Sequence, residues 1–352
     1  MDDFIFNGAA SGSVAQRLLA CNFDVRALRP FIGENGKTYI TTMGKNGKLE
    51  TKMIHNATAT LRYEDWKLLD DVIVKAAKPR LKAVGDLRAA GLQYTIPNGM
   101  GTTVFQTETM SDIGDASISM DGLRQGANDR LEFDLTNIPL PIIHKDFSYS
   151  VRQIATSRNG GSPLDTNTAE AATRKVAEEA EKLLLGLSST YSFGGGTIYG
   201  YTNYLYRMTQ ILTSPTAGGW TASTLLTEVL AMRTSSQNAY HYGPWVLYVS
   251  PAWDAYLDED FKAASDVTVR ERLKKLDGIS DIRTLDYLTD YDMILVQMSS
   301  DVVREIIGMD FTTVQWPSDG GLKENFKVMC IMVPQIRRDF NGNTGIVHGG
   351  VV

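Results

Sequence analysis

Helical spacing is clearest over YEDWKLLDDVIVKAAKPRLKAVGDLRAAG, where Trp66, Leu69, Ile73 and Ala77 recur at three- and four-residue steps with Asp70, Asp71 and Lys75 between them. The pattern predicts a helix that Pro79 ends or kinks, because proline lacks an N–H and clashes with the preceding turn; Gly91 closes the region. A longer pattern runs from about 165 to 185. Ala169, Ala172, Val176, Ala180 and Leu183 make one apolar stripe, while Arg174, Lys175, Glu178, Glu179 and Lys182 fall mostly elsewhere. Asp165 or Thr166 can act as N-cap, Glu170 suits the positive end of the helix dipole, and Gly186 is a natural stop. About twenty residues at 1.5 Å each make a rod roughly 30 Å long.

Strand patterns surround these helices. IPLPIIHKDFSYSVRQI, residues 138–154, is apolar on both faces from Ile138 to Ile143 and alternates from Phe147 to Ile154. It reads as two strands meeting at the charged pair Lys145 and Asp146. Farther on, TASTLLTEVLAMRTSSQ and TVRERLKKLDGI read as helices, WVLYVSPAWDAYLDEDF as a strand then a helix start, and DMILVQMS as a buried strand. VVREIIGMDFTTVQW and FKVMCIMVPQIRRDF supply the last strands. Helices and strands mix without a regular βαβ repeat, which predicts an α+β fold.

Two segments carry too little apolar surface to stand alone. Residues 96–130 are polar and Gly-rich, with alternation in TTVFQTET and ASISMDG that favours an extended hairpin seeking a partner on another chain. Residues 1–60 read as an arm: one short helix over VAQRLLACNFDVRALRPF, then a hairpin punctuated by GENGK and GKNGK, where Asn-Gly tolerates positive φ. Seven basic against five acidic residues give this arm a mild basic bias inside a chain of net charge −6.

Composition narrows the class. The 352 residues, 43% hydrophobic and 22% charged, are ordinary for a globular chain. The negative balance argues against a dedicated DNA reader, although a local basic face stays open. The two cysteines, Cys21 and Cys330, could pair in principle and read more simply as free thiols in a reducing compartment. MDDF opens the chain without a basic n-region, and the longest apolar runs are too short to span a bilayer, so a soluble, non-secreted protein is expected.

No residue set forms a convincing catalytic constellation. His55, His144, His241 and His348 are scattered, without metal-ligand spacing. Phe193 to Thr197, FGGGT, lacks the lysine and hydroxyl of a phosphate loop and reads as a turn. Asp286, Asp290 and Asp292 could hold a hard cation; a solvated loop at a strand mouth is the simpler reading. Asp258, Glu259 and Asp260 read as acidic surface. Tyr199, Tyr201, Tyr204 and Tyr206 could stack bases, but only Arg207 interleaves them, so a core or subunit contact is expected. Accordingly no catalytic, cofactor-binding or metal-binding residue is assigned.

The order of elements resembles the Hong Kong 97-type major capsid proteins of tailed bacteriophages, within them the branch similar to encapsulin shell proteins. The likeness rests on the helix from Tyr63, on PLPIIHKDFSYSVRQI followed by SPLDTNTAEAATRKVAEEAEKLLLG, and on the closing PQIRRDFNGNTGIVHGG, spanning about residues 61–352. The resemblance implies an arm at 1–60, a helix region at 61–95 and an extended β-hairpin loop at 96–130. It further implies a peripheral domain at 131–190 and 301–352 with its spine helix at about 165–185, and an axial domain at 191–300. It implies a non-enzymatic structural protein assembling as pentamers and hexamers into an icosahedral head around double-stranded DNA held by non-specific contact. The alternative is an encapsulin-type nanocompartment shell enclosing cargo enzymes; the 60-residue arm exceeds that pattern. A portal, and scaffold or decoration proteins, are the expected partners, with no membrane, and the location is the virion, assembled in the host cytoplasm. Lys145, Asp146, Arg152, Phe105, Met110, Tyr201 and Tyr204 are the expected intersubunit contacts. Some relatives crosslink through a loop lysine; residues 96–130 contain none, so no such crosslink is expected.

Overall fold

The computed structural model describes residues 29–43, 49–54, 61–111, 118, 120, 130–159, 166–218, 220–262, 267–339 and 341–351. The arm helix expected before residue 29, Cys21, His55 and the GKNGK turn lie outside these residues. Strands β1 (Phe31–Ile32), β2 (Thr38–Met43) and β3 (Leu49–Met53) form a small antiparallel sheet, with the GENGK turn closing β1 onto β2 at Gly36, φ +73°. This sheet is fastened to helix α1 (Tyr63–Ala77). The Trp66 indole N–H donates to the Pro30 carbonyl at 3.0 Å, and Arg29 lies 4.5 Å over the same ring while pairing with Asp70 at 2.7 Å. All four apolar positions read from spacing in α1 are buried. At Pro79 the helix passes into a 3-10 turn, Lys78–Arg80, before α2 (Lys82–Ala89).

The chain then lays down β4 (Gln93–Thr95), β5 (Val104–Met110), β6 (Phe133–Pro139), β7 (Ile143–Ser150), α3 (Val151–Asn159) and α4 (Asn167–Leu185). Here the sequence reading needs correction. The second hairpin strand β6 lies beyond residue 130, so the hairpin expected within 96–130 runs on to Pro139. The alternation over 147–154 also is not one strand: it becomes helical at Val151, where Ser150 accepts the backbone N–H of Gln153 through its hydroxyl at 3.2 Å. Helix α4 matches the predicted rod and ends on Gly186 at φ +82°; Thr166 precedes it without a side-chain cap.

Next come β8 (Ser192–Phe193), β9 (Gly196–Thr197), β10 (Met208–Leu212), α5 (Ala222–Asn238), β11 (Trp245–Val249), α6 (Asp254–Leu257), α7 (Val269–Lys274), β12 (Ile279–Thr284) and β13 (Met293–Gln297). Last are β14 (Val303–Ser318), β15 (Lys323–Ile336) and β16 (Ile346–Val351). Two sheets organise the molecule. One has the order β4-β14-β15-β7, with β14 and β15 forming a long hairpin turned at Asp319–Gly321. The other is mixed, in the order β10-β16-β13-β11-β12. Residues 301–352 therefore divide: β14 and β15 join the first sheet, while β16 inserts between β10 and β13 of the second.

Burial follows from these layers. Helices α1 and α4 cover one face of the four-stranded sheet, where Trp66, Phe147, Ala172, Val176 and Phe326 pack together; Phe147 and Phe326 stack at 5.2 Å. Every residue of β11 is buried, because Val246 and Tyr248 face one core while Trp245, Leu247 and Val249 face another. Layers on both faces explain why this strand reads as a continuous apolar run. Among the described residues no helix is long and apolar enough to cross a membrane.

Candidate assembly surfaces

Strands β5 and β6 form a two-stranded antiparallel ribbon hydrogen-bonded to neither large sheet. Its base is buried at Val104 and Ile138, but Phe133 is 58% and Leu135 59% exposed. Side chains alternate along a strand, so Phe133 and Leu135, with Leu131 before them, share one face. Exposed apolar side chains sharing one face make this a candidate interaction surface. Such a ribbon is marginal alone in water, and its root is therefore tied down. The Asn137 amide donates to the Gly194 carbonyl at 3.0 Å, and Gly196 lets the β8–β9 turn approach the Asn137 backbone where a side chain would collide. The glycines of FGGGT thus serve close packing.

The root also leads back to α4 through α2. Glu181, 1% exposed, accepts the backbone N–H groups of Ala83 at 2.6 Å and Val84 at 3.2 Å. It satisfies two of the unpaired donors that open a helix. Burial pushes its carboxyl up to about 7; the two backbone bonds oppose this, and the charges of Asp86 and Glu305 add to it. Asp86 is raised chiefly by burial, against the Arg283 charge and a hydrogen bond from the Tyr248 hydroxyl at 3.2 Å.

The expected contact residues scatter. Lys145 and Asp146 are exposed on β7, where Asp146 faces Lys327 at 3.6 Å within the chain. Arg152 is exposed, but in the first turn of α3 and not on a strand edge. Phe105 is half-buried against Tyr94, ring centroids 5.1 Å apart, and Met110 pairs with Phe133 at the outer end of the ribbon. Tyr201 is a correction: it is fully buried, stacked 6.2 Å from Tyr248, and presents no surface to a neighbour. Tyr204 is 9% exposed, and burial raises its phenol to about 12. The acidic trio separates, with Asp286 paired to Lys82 at 2.9 Å and Asp292 facing His348 at 3.6 Å. Cys330 is a free, buried thiol.

Sequence reasoning missed several exposed apolar groups: Phe133, Leu135, Leu205, Ile211, Tyr240 and Tyr242. The alternation of LEFDLT carried the signal for the first two, but it begins just past the assumed end of the loop.

A two-stranded ribbon, a long helix across a four-stranded sheet and a second mixed sheet together define the Hong Kong 97-type fold of tailed-phage capsid and encapsulin shell proteins. Solved structures agree. The virus-like particle from Pyrococcus furiosus superposes with a TM-score of 0.58 at 17% identity, covering 82% of this chain and 99% of that one. The capsid of Myoviridae phage XM1 superposes with a TM-score of 0.59 at 11% identity, covering 74% and 90%. In sequence, the type 1 encapsulin shell protein EncA of Myxococcus xanthus is 26% identical over 200 residues, which is 56% of this chain and 63% of that protein. Residues 56–349 match the family of unknown function DUF6260, and the chain belongs to that family.

Proposed function

We propose that this chain is the major capsid protein of a tailed phage, assembling through pentamers and hexamers into an icosahedral head around double-stranded DNA. The observation that carries the shell reading is the ribbon β5–β6: an apolar face exposed at Phe133 and Leu135, on a root buried and hydrogen-bonded into the rest of the chain. A subunit that projects such a face gains its remaining burial from a neighbour, and an interface of standard size needs about 1,200–2,000 Å². The role is structural, not enzymatic. The four-stranded sheet with α4 would form the peripheral domain and the five-stranded sheet the axial domain. Packaged DNA is held by non-specific contact, and a portal with scaffold or decoration proteins completes the particle.

The phage reading is favoured over the compartment reading by residues 1–55, which precede the family match, and by the sheet β1–β3 pinned on Trp66. The encapsulin relative supports the second reading, a nanocompartment shell around cargo enzymes. Negative-stain imaging with nucleic-acid assay separates them. Large, DNA-filled, tailed heads in the producing cells support the phage reading; small DNA-free shells with enzyme inside support the compartment; a chain that stays monomeric at high concentration removes both.

A further inference from the structure

Helix α2 is wedged between the two large sheets. Its Ala83, Val84 and Leu87 share one core with Tyr248 of β11, Val303 of β14 and Ala180 of α4. Polar contacts then grip in three directions. Toward the five-stranded sheet, Lys82 pairs with Asp286 at 2.9 Å and donates to the carbonyl of Thr284, the last residue of β12, at 3.3 Å. Asp86 accepts the Tyr248 hydroxyl at 3.2 Å and faces Arg283 of β12 at 3.7 Å. Toward the four-stranded sheet, Arg88 donates to Glu305 of β14 at 3.1 Å and to the Met332 sulfur of β15 at 3.3 Å. Toward the long helix, the Ala83 and Val84 backbone N–H groups donate to Glu181. Eight residues thus tie both sheets and α4 together.

Carboxyls converge on this wedge. Glu181 is 1% and Glu305 2% exposed, with Asp86 partly buried beside them. The charges acting on Glu181 are those of Asp86 and Glu305, both of its own sign. The cations facing the group are engaged elsewhere: Arg88 with Glu305 and, at 3.7 Å, Asp310; Arg283 with Asp281 at 2.7 Å; Lys82 with Asp286. On α4 itself, Glu178 pairs with Lys175 at 2.8 Å and Lys182 lies 5.4 Å over the Tyr287 ring. Tyr201 and Tyr248 complete the surround, and burial raises both phenols, so they stay protonated. Burial also raises Asp86, against the Arg283 charge, and Glu305, against that of Arg88. The Glu305 Oε1 and the Tyr201 hydroxyl are buried without a hydrogen-bond partner among the described residues. Such a cluster tolerates protonated carboxyls and resists ionised ones, because like charges meet where water is excluded.

We propose that α2 is a proton-operated joint: with its carboxyl cluster protonated it is locked to α4, and loss of those protons releases α2 from α4 while both sheets stay folded. The inference concerns the subunit itself and does not depend on what the subunit assembles into. The sign follows from Glu181. Its carboxyl is raised from 4.5 to about 7 while the joint is closed, so the closed form holds its proton more tightly than the open one. Closure is complete below about pH 4.5 and weakens as pH rises to about 7. Between about pH 5 and about pH 7 the open fraction should grow about tenfold or more. Local opening of one short helix costs less than global unfolding, so the release precedes loss of the sheets.

The test is hydrogen exchange of the full chain, read as protection factors so that the intrinsic pH dependence of exchange drops out. Amides of α2 should lose protection about tenfold or more between about pH 5 and about pH 7. They should stay less protected than amides of β14 and β15 at both values, and dilute urea should leave them unchanged, since a local opening exposes little surface. Glu181→Gln carries no titrating group at this site and should flatten the α2 profile. If that chain fails to fold, Asp86→Asn replaces it: removing one of the two like charges should shrink the loss, and an undiminished loss there overturns the inference. A Glu181→Gln chain whose α2 protection falls as steeply as that of the unaltered chain also overturns it. So do α2 amides as protected and as urea-sensitive as those of β14 and β15, because α2 would then open only with the whole subunit.

Discussion

Glu181 accepts the backbone N–H of Ala83 at 2.6 Å, joining the C-terminal part of the long helix to the start of a helix 98 residues earlier in the chain. The carboxyl is buried and pushed up to about 7 from an ordinary 4.5. A raised carboxyl binds its proton more tightly in the folded state, so its contribution is complete below about pH 4.5 and is lost as pH rises through about 7. The loss is on the order of 3 kcal/mol. Glu181→Gln should therefore flatten the fall in melting temperature between about pH 5 and about pH 8 relative to the unaltered chain. Glu181→Ala should lose about 1–3 kcal/mol below about pH 5 by stranding two buried N–H groups, and the difference should shrink as pH rises. Parallel pH profiles for unaltered and Gln chains would sink the assignment.

Phe326 is fully buried between Phe147, Tyr149 and Trp66. Phe326→Ala should cost about 3–5 kcal/mol of subunit stability, read by urea unfolding. A loss below about 1 kcal/mol would mean that the helix layer does not depend on this cluster.

The ribbon behaves oppositely. Phe133→Ser with Leu135→Ser changes exposed side chains, so subunit stability should move by less than about 0.5 kcal/mol per site. Particle yield should nevertheless fall about tenfold or more, measured by sedimentation. Unchanged yield would show that this face meets no neighbour.

Arg152→Glu places a carboxylate in the first turn of α3, where negative charge is mildly favourable, so the free subunit should not weaken. Assembly should be impaired. If folding and assembly decline together, Arg152 serves the fold alone.

No lysine occurs between residues 96 and 139, so the correction that lengthens the ribbon through β6 keeps the earlier expectation. Particles boiled in denaturant and reductant should run as a single subunit band. A ladder of covalent multimers would contradict this.

Much of the fold was legible because helices declare themselves through one-sided burial. Trp66, Leu69, Ile73 and Ala77 were read correctly, as was the stop at Gly186. The errors came where local pattern cannot carry the information. Phe147 to Ile154 alternates as a strand would, but tertiary packing buries Ile154 from a helix, and Ser150 turns the chain first. Tyr201 looks the same in sequence as Tyr206, yet one lies in the core and the other beneath Arg338. The hollow lined by Leu135, Tyr206 and Arg338 draws on three distant segments, and no spacing rule joins them.

The ribbon is flanked in the chain by β4 and β7, and those two strands are the opposite margins of the four-stranded sheet. It is thus a handle fixed at both sides of a plate, and a pull at its tip divides between the two margins. Whatever tension a neighbour exerts on Phe133 and Leu135 is spread across β14 and β15, so the weakest-looking part of the subunit is backed by its longest pair of strands.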